Sequence, residues 1–173
     1  GNNSDPLWHY VLEERYLNHN PRFAPGDVRV QVPEAPGAAP VFPASKTLSR
    51  FNDHDRADRF TSACSPIIYR DDLFGPDFLG NSFVCEPVHN LVHREIVVAN
   101  GVTFTSRRAA DEQESEFFAS SDNWCRPVMC RTGPDGALWI ADMYRATIEH
   151  PEWIPVDWQR RLDLRAGEDR GRI

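Results

Sequence analysis

The spacing of apolar positions changes character once along the chain. Over residues 5–20 (DPLWHYVLEERYLNHN), Leu7, Tyr10, Val11, Leu12 and Leu17 recur at nearly helical spacing. Asp5 and Pro6 make a helix start, with Asp as N-cap and Pro in the first turn, and Asn20-Pro21 ends it. Residues 21–43 then carry six prolines among small residues, which predicts an extended linker or surface loop outside any domain core. One short strand is expected within it, at 28–32.

From Thr61 onward the pattern is that of short strands. Residues 64–69 read as a strand, 71–81 as a loop with Gly75-Pro76, 82–85 as a second strand and 86–90 as a connection. A third strand follows at 91–99, a turn at Asn100-Gly101 and a fourth strand at 102–106. Four antiparallel strands with turn signals between them make one β-propeller blade. The charged run RRAADEQESE at 107–116 predicts a solvated connection, with Phe117-Phe118 as its anchor. RPVMCRTGPDGALWIAD, residues 126–142, then reads as a hairpin. Strands at 127–132 and 137–141 flank Gly133-Pro134-Asp135-Gly136, where Gly accepts the positive φ of a tight turn. The predicted fold is all-β: a partial β-propeller of about two four-stranded antiparallel blades over 61–173, preceded over 1–60 by an N-terminal helix and a Pro-rich linker or insert.

Composition narrows the function classes. The 173 residues are 40% hydrophobic with a formal net charge of −7, an acidic balance that argues against nucleic-acid binding. No apolar stretch reaches membrane-spanning length. A start at Gly1 without Met and an end at GRI, where a strand is expected to begin, read as a piece of a longer protein. Cys64, Cys85, Cys125 and Cys130 form neither a CxxC pair nor a CxxCH haem attachment site, which excludes the usual zinc ribbon spacing and covalent haem in this segment.

Strand direction alternates within a blade, so the links between blades and between second and third strands share a face. That geometry collects Ser62-Ala63, residues 86–90, residues 121–126 and the loop after Asp142 on one side. Glu86, His89, Asn90, Asp122, Arg126, Asp142, Tyr144, Arg145, Glu149 and His150 gather there as the default site. The Gly-Pro-Asp-Gly turn and the 74–79 loop fall opposite. Cys64 and Cys85 lie at the same end of neighbouring strands and are a disulfide candidate, with two buried thiols as the alternative. Cys125 and Cys130 are expected to pack. A disulfide would fit a secreted or periplasmic protein.

His89 and His93 are four apart, as in a helical metal pair, but Pro87 and the β-branched surroundings oppose a helix and HNLVH lacks the glutamate of HExxH. His89 is then a loop residue and His93 a hydrogen-bonding residue of the sheet. Arg126 and Arg145 offer planar donor forks for an anionic group. His150, beside Glu149, could act as a general base. Alternatively IEHPEWIP is a rigid loop restricted by Pro151 and Pro155 and anchored by Trp153. Trp124, Trp139, Trp153 and Trp158 are expected in core or inter-blade packing rather than as sugar platforms.

Several phrases resemble a bacterial family of membrane-bound dehydrogenases, also called PVC-type haem-binding proteins: FVCEPVHNLVHRE (83–95), EFFASSDNWCRPV (116–128), GPDGALWIADMYRATIEHPEWIP (133–155) and the final GEDRGRI. The resemblance implies a propeller similar to the soluble quinoprotein glucose and sorbosone dehydrogenases. Helical repeats and a c-type cytochrome domain would follow elsewhere in the parent chain. It implies oxidation of a sugar or alcohol with pyrroloquinoline quinone (PQQ) and calcium, electron transfer to that haem domain, and a periplasmic or secreted location with membrane association through the rest of the parent. On this reading His89, His150 and Arg126 are the catalytic candidates. Glu86, Asn90, Asp122, Asp142 and Arg145 are the cofactor-binding ones, and no residue is assigned to a metal site of the protein's own. Glu86, Asp122 and Asp142 could offer oxygens to calcium; structurally, Asp142 would cap its own loop and Glu86 would pair with Arg126. The reading from a different class is a non-catalytic propeller scaffold that binds carbohydrate or protein.

Overall fold

The computed structural model describes residues 3–35, 39–46 and 58–173. Residues 36–38 and 47–57 of the predicted linker lie outside the described residues. The strands are β1 (Trp8–Tyr10), β2 (Arg29–Gln31), β3 (Cys64–Ile68), β4 (Ser82–Glu86), β5 (Leu91–Asn100), β6 (Thr103–Arg107), β7 (Phe118–Ala119), β8 (Pro127–Thr132) and β9 (Leu138–Asp142). Among the described residues the α-helices are single turns, α1 (Glu14–Leu17) and α2 (Val156–Gln159), and two 3-10 turns lie at Ala110–Glu112 and Pro151–Trp153. The fold is all-β, a partial propeller. Strands β3-β4-β5-β6 form one antiparallel sheet, β7 joins β5, and β8-β9 form the next hairpin.

Strand β5 is ten residues long because it serves two neighbours in succession. Its first half, Leu91 to Glu95, pairs with β4, and its second half, Ile96 to Asn100, pairs with β6 around the Asn100-Gly101 turn. Strand β4 is buried on both faces, which is why SFVCE lacks the polar alternation of a half-exposed strand. Val84 and Leu91 turn to one side, where Ala39, Val41, Phe60 and Ala63 cover them. Phe83, Cys85 and Val92 turn to the other and pack with Tyr69, Cys130, Leu138 and Ile140. Phe117 closes that second core against Phe83, with ring centroids 4.8 Å apart, and so anchors the preceding run as expected. Gly136, at φ +81, lets its carbonyl reach the Tyr69 hydroxyl at 2.7 Å; a Cβ there would meet Asp71 Oδ1 at 2.4 Å.

Three sequence expectations are corrected. The helix over 5–20 is a strand followed by a single helical turn: Trp8–Tyr10 pairs with Arg29–Gln31, and cross-strand pairing outweighs a helical spacing too short to nucleate on its own. The Pro-rich segment contributes to the core, since Val32, Ala39 and Val41 are buried. Its backbone also runs along β6, through Ser106 N–H to Val32 O and Glu34 N–H to Ser106 O. The run at 107–116 is not simply solvated: Glu112 is buried against Arg94 at 2.8 Å, and the Glu116 carboxylate is fully buried.

Candidate functional site

Glu86 ends β4 inside the protein, so its carboxylate must find donors there. The amides of Thr61 and Ser62 donate to Oε2 at 3.1 and 2.9 Å, and the Ser62 hydroxyl donates to Oε1. His89 Nδ1 lies 3.4 Å from Oε1, while its Nε2 accepts the Asp58 amide at 3.1 Å. An acceptor role at Nε2 leaves the ring hydrogen on Nδ1, pointing at Glu86. Ser62 therefore bonds the carboxylate and not the imidazole. The network ties the entry to β3 onto the β4–β5 turn.

Asn90 holds the second junction. It sits at φ 62, a conformation that Asn tolerates because its short side chain bonds locally. Its Oδ1 accepts the Ser45 hydroxyl at 2.7 Å, and its Nδ2 donates to the carbonyls of Asn123 and Cys125. Arg126 makes the third. Its guanidinium donates to Pro87 O (3.0 Å), Val88 O (3.3 Å), Arg145 O (2.9 Å) and Ala146 O (2.9 Å), joining the β4–β5 turn to the loop after β9. Asp142 caps that loop, taking the Arg126 and Tyr144 amides on Oδ1 and Arg172 Nε on Oδ2 at 2.9 Å. Arg172 also forms an antiparallel backbone bridge with Asp142.

The surface of the face is aromatic. Asp122, exposed, accepts the Tyr144 hydroxyl at 2.9 Å and the Trp124 amide. The Trp124 and Tyr144 rings lie 5.9 Å apart, and Arg172 covers the Tyr144 ring at 4.4 Å. Tyr144 has φ 51, a left-handed backbone that costs a non-glycine residue about 1–2 kcal/mol.

Nearby, His93 is buried between two carboxylates. Its Nδ1 is 2.7 Å from Glu116 Oε2; its Nε2 lies 3.3 Å from Glu95 Oε1 but is not aimed for a hydrogen bond. Arg108 and the Phe42 amide complete Glu116. Burial pulls the His93 pKa down, yet the Glu116 hydrogen bond and the charges of Glu116 and Glu95 outweigh it and leave it above 6.5. Glu116 is held below 4.5: burial would raise it, but His93 and Arg108 outweigh that. A raised histidine stabilises the fold below the unfolded pKa, and that contribution is lost as pH climbs through the folded one. A depressed carboxylate stabilises above 4.5 and loses its contribution as pH falls through its folded pKa. Unfolding free energy measured against pH should therefore decline above about 6.5 in the wild type, and this slope should flatten in His93→Gln. An unchanged slope in the variant would assign the proton elsewhere.

The predicted site residues divide into two groups. Glu86, His89, Asn90, Arg126 and Asp142 converge on one face but are buried and bonded to one another's loops. Glu86 does not pair with Arg126 as anticipated; it takes backbone amides and Ser62, while Arg126 takes carbonyls. Asp122 is exposed beside Tyr144, and Arg145 is half-buried, donating to Arg165 O at 2.9 Å. His150 stands apart from that group: it is exposed and accepts the Glu152 amide, capping the turn Pro151–Trp153. Trp153 is 76% exposed and anchors nothing; Ile154 is the buried residue of that loop. Trp124 and Trp139, expected in packing, are also exposed. Cys64 and Cys85 are register partners, as the strand argument has it, and all four cysteines are free thiols in this structure. Ser62 and Asp58 were missed. The strand argument places Ser62-Ala63 on the same face as residues 86–90, but not the fold of the 58–62 segment over the Glu86 carboxylate.

The acidic residues do not fit a calcium cage. Glu86 and Asp142 already receive N–H and O–H donors on both oxygens, and among the described residues no group of three or more His, Cys, Asp or Glu could hold a metal ion. Among the described residues no helix is long and apolar enough to cross a membrane.

Fold and site together define a blade-and-hairpin section of a propeller-type β protein, with its loops braced on one face. The chain belongs to the family described as Domain of unknown function (DUF7133), whose profile matches residues 1–173. No curated protein and no solved structure matches it.

Proposed function

We propose that this chain is a non-catalytic propeller section that binds carbohydrate on its loop-bearing face. One observation carries the reading. The buried polar residues there are satisfied by backbone groups and by each other, while the outward surface presents exposed Trp124 and half-buried Tyr144 beside Asp122 and Arg172. A sugar has apolar C–H faces and hydroxyl edges; the exposed Trp124 ring complements the first, and Asp122 and Arg172, beside half-buried Tyr144, complement the second.

The second reading is the quinoprotein-like dehydrogenase, oxidising a sugar or alcohol and passing electrons to a c-type haem domain elsewhere in the parent. The left-handed Tyr144 favours it, because backbone strain concentrates at functional sites. The two readings separate by assaying the full-length parent with PQQ and calcium for dye reduction over a panel of sugars and alcohols, alongside carbohydrate binding by calorimetry. Binding that weakens at least about fivefold in Trp124→Ala, with no turnover, is expected, since truncating an aromatic anchor of a binding surface costs more than roughly 1 kcal/mol. Cofactor-dependent turnover that falls in His150→Ala or Arg145→Ala would overturn the non-catalytic reading.

A further inference from the structure

Three of the four cysteines meet where the blade packs on the β8–β9 hairpin. Cys64 on β3 and Cys85 on β4 are cross-strand partners, and the third thiol, Cys130, comes from β8. Cys85 Sγ lies 3.1 Å from Cys130 Sγ, closer than thiols in ordinary van der Waals contact. Cys64, also beside the Cys85 thiol, directs its own thiol to Val128 O at 3.5 Å. Cys85 and Cys130 are fully buried, among Phe83, Tyr69, Leu138 and Ile140.

We propose that Cys85 and Cys130 are a cross-linking site, forming a disulfide that joins the blade to the next hairpin while Cys64 and Cys125 stay reduced. The oxidant is a small-molecule or protein disulfide. One thiolate attacks it to give a mixed disulfide and release a thiol; the second cysteine then displaces the other half. Two protein thiols and one oxidant disulfide thus become one protein disulfide and two released thiols. Burial means that the exchange takes place while the chain is folding or opened, after which the apolar surround shields the bond from reductants. The cross-link spans 45 residues of sequence, so it removes substantial freedom from the unfolded chain. This inference is independent of what the loop-bearing face binds.

The test refolds the full-length protein in a glutathione redox buffer, alkylates the remaining thiols and maps the linked peptides by mass spectrometry. The expected result is one bridge between the Cys85 and Cys130 peptides, alkylation at Cys64 and Cys125, and a Tm roughly 5–15 °C above that of the reduced protein. Cys64→Ser should keep both the bridge and the Tm difference, and Cys130→Ser should lose both. Should Cys130→Ser fail to fold, Cys64→Ser and the wild-type map still decide the matter. Full alkylation of the folded wild type, a Cys64–Cys85 bridge, or loss of the bridge in Cys64→Ser would overturn the assignment.

Discussion

Arg126→Ala is expected to lower the unfolding free energy by about 3–5 kcal/mol, read as a shift in the urea midpoint with little change in slope. The guanidinium is buried and donates to the carbonyls of Pro87, Val88, Arg145 and Ala146, so its removal leaves several acceptors without a donor in one step. Each unsatisfied buried group costs about 1–3 kcal/mol, and solvent entering the vacated space recovers part of the sum. Arg126→Lys should restore less than half of the loss, because an ammonium cannot span acceptors on two separate loops with a planar fork. A residue that served chiefly to contact a ligand would behave differently. Its alanine variant would keep the urea midpoint and lose only binding, an outcome that would overturn the bracing role.

Glu86→Ala should be nearly as damaging, at about 3–4 kcal/mol, because it strips acceptors from the Thr61 and Ser62 amides and the Ser62 hydroxyl and removes the partner of His89. Glu86→Gln is the informative comparison. It keeps the volume but turns an N–H₂ toward groups that donate, so roughly half of the alanine effect should remain. Equal stability of Glu86→Gln and wild type would mean that the carboxylate's charge and its two acceptor oxygens are not what hold the 58–62 segment against β4.

How much of this was legible beforehand depended on the kind of signal. The strands of the blade and hairpin were readable because turn residues mark their ends: Asn100-Gly101 and Gly133-Pro134-Asp135-Gly136 leave little latitude in register. Strand alternation likewise brought Glu86, Asn90, Arg126 and Asp142 to one face. What it could not supply was depth. A polar residue at a loop reads as exposed, and whether Glu86 faces solvent or two amides depends on the 58–62 segment folding over it, a long-range contact that local pattern does not encode. The N-terminal error has the same origin: Trp8–Tyr10 is a strand because Arg29–Gln31 lies beside it, and the intervening residues gave no hint of that return. Trp124 and Trp139 were assigned to packing on residue type alone, and type says least about large amphipathic side chains at a surface.

The way β5 is shared bears on the order of assembly. Its pairings with β4 and β6 close through short turns and involve only near neighbours in sequence, so they form cheaply and early. The bonds that brace the loops reach up to 45 positions along the chain, between Ser45 and Asn90, with 24 between Ser62 and Glu86 and 39 between Pro87 and Arg126. Each waits on the entropy of closing a longer loop. The meander is thus a template, and the loop-bearing face is the last part of the molecule to acquire its shape.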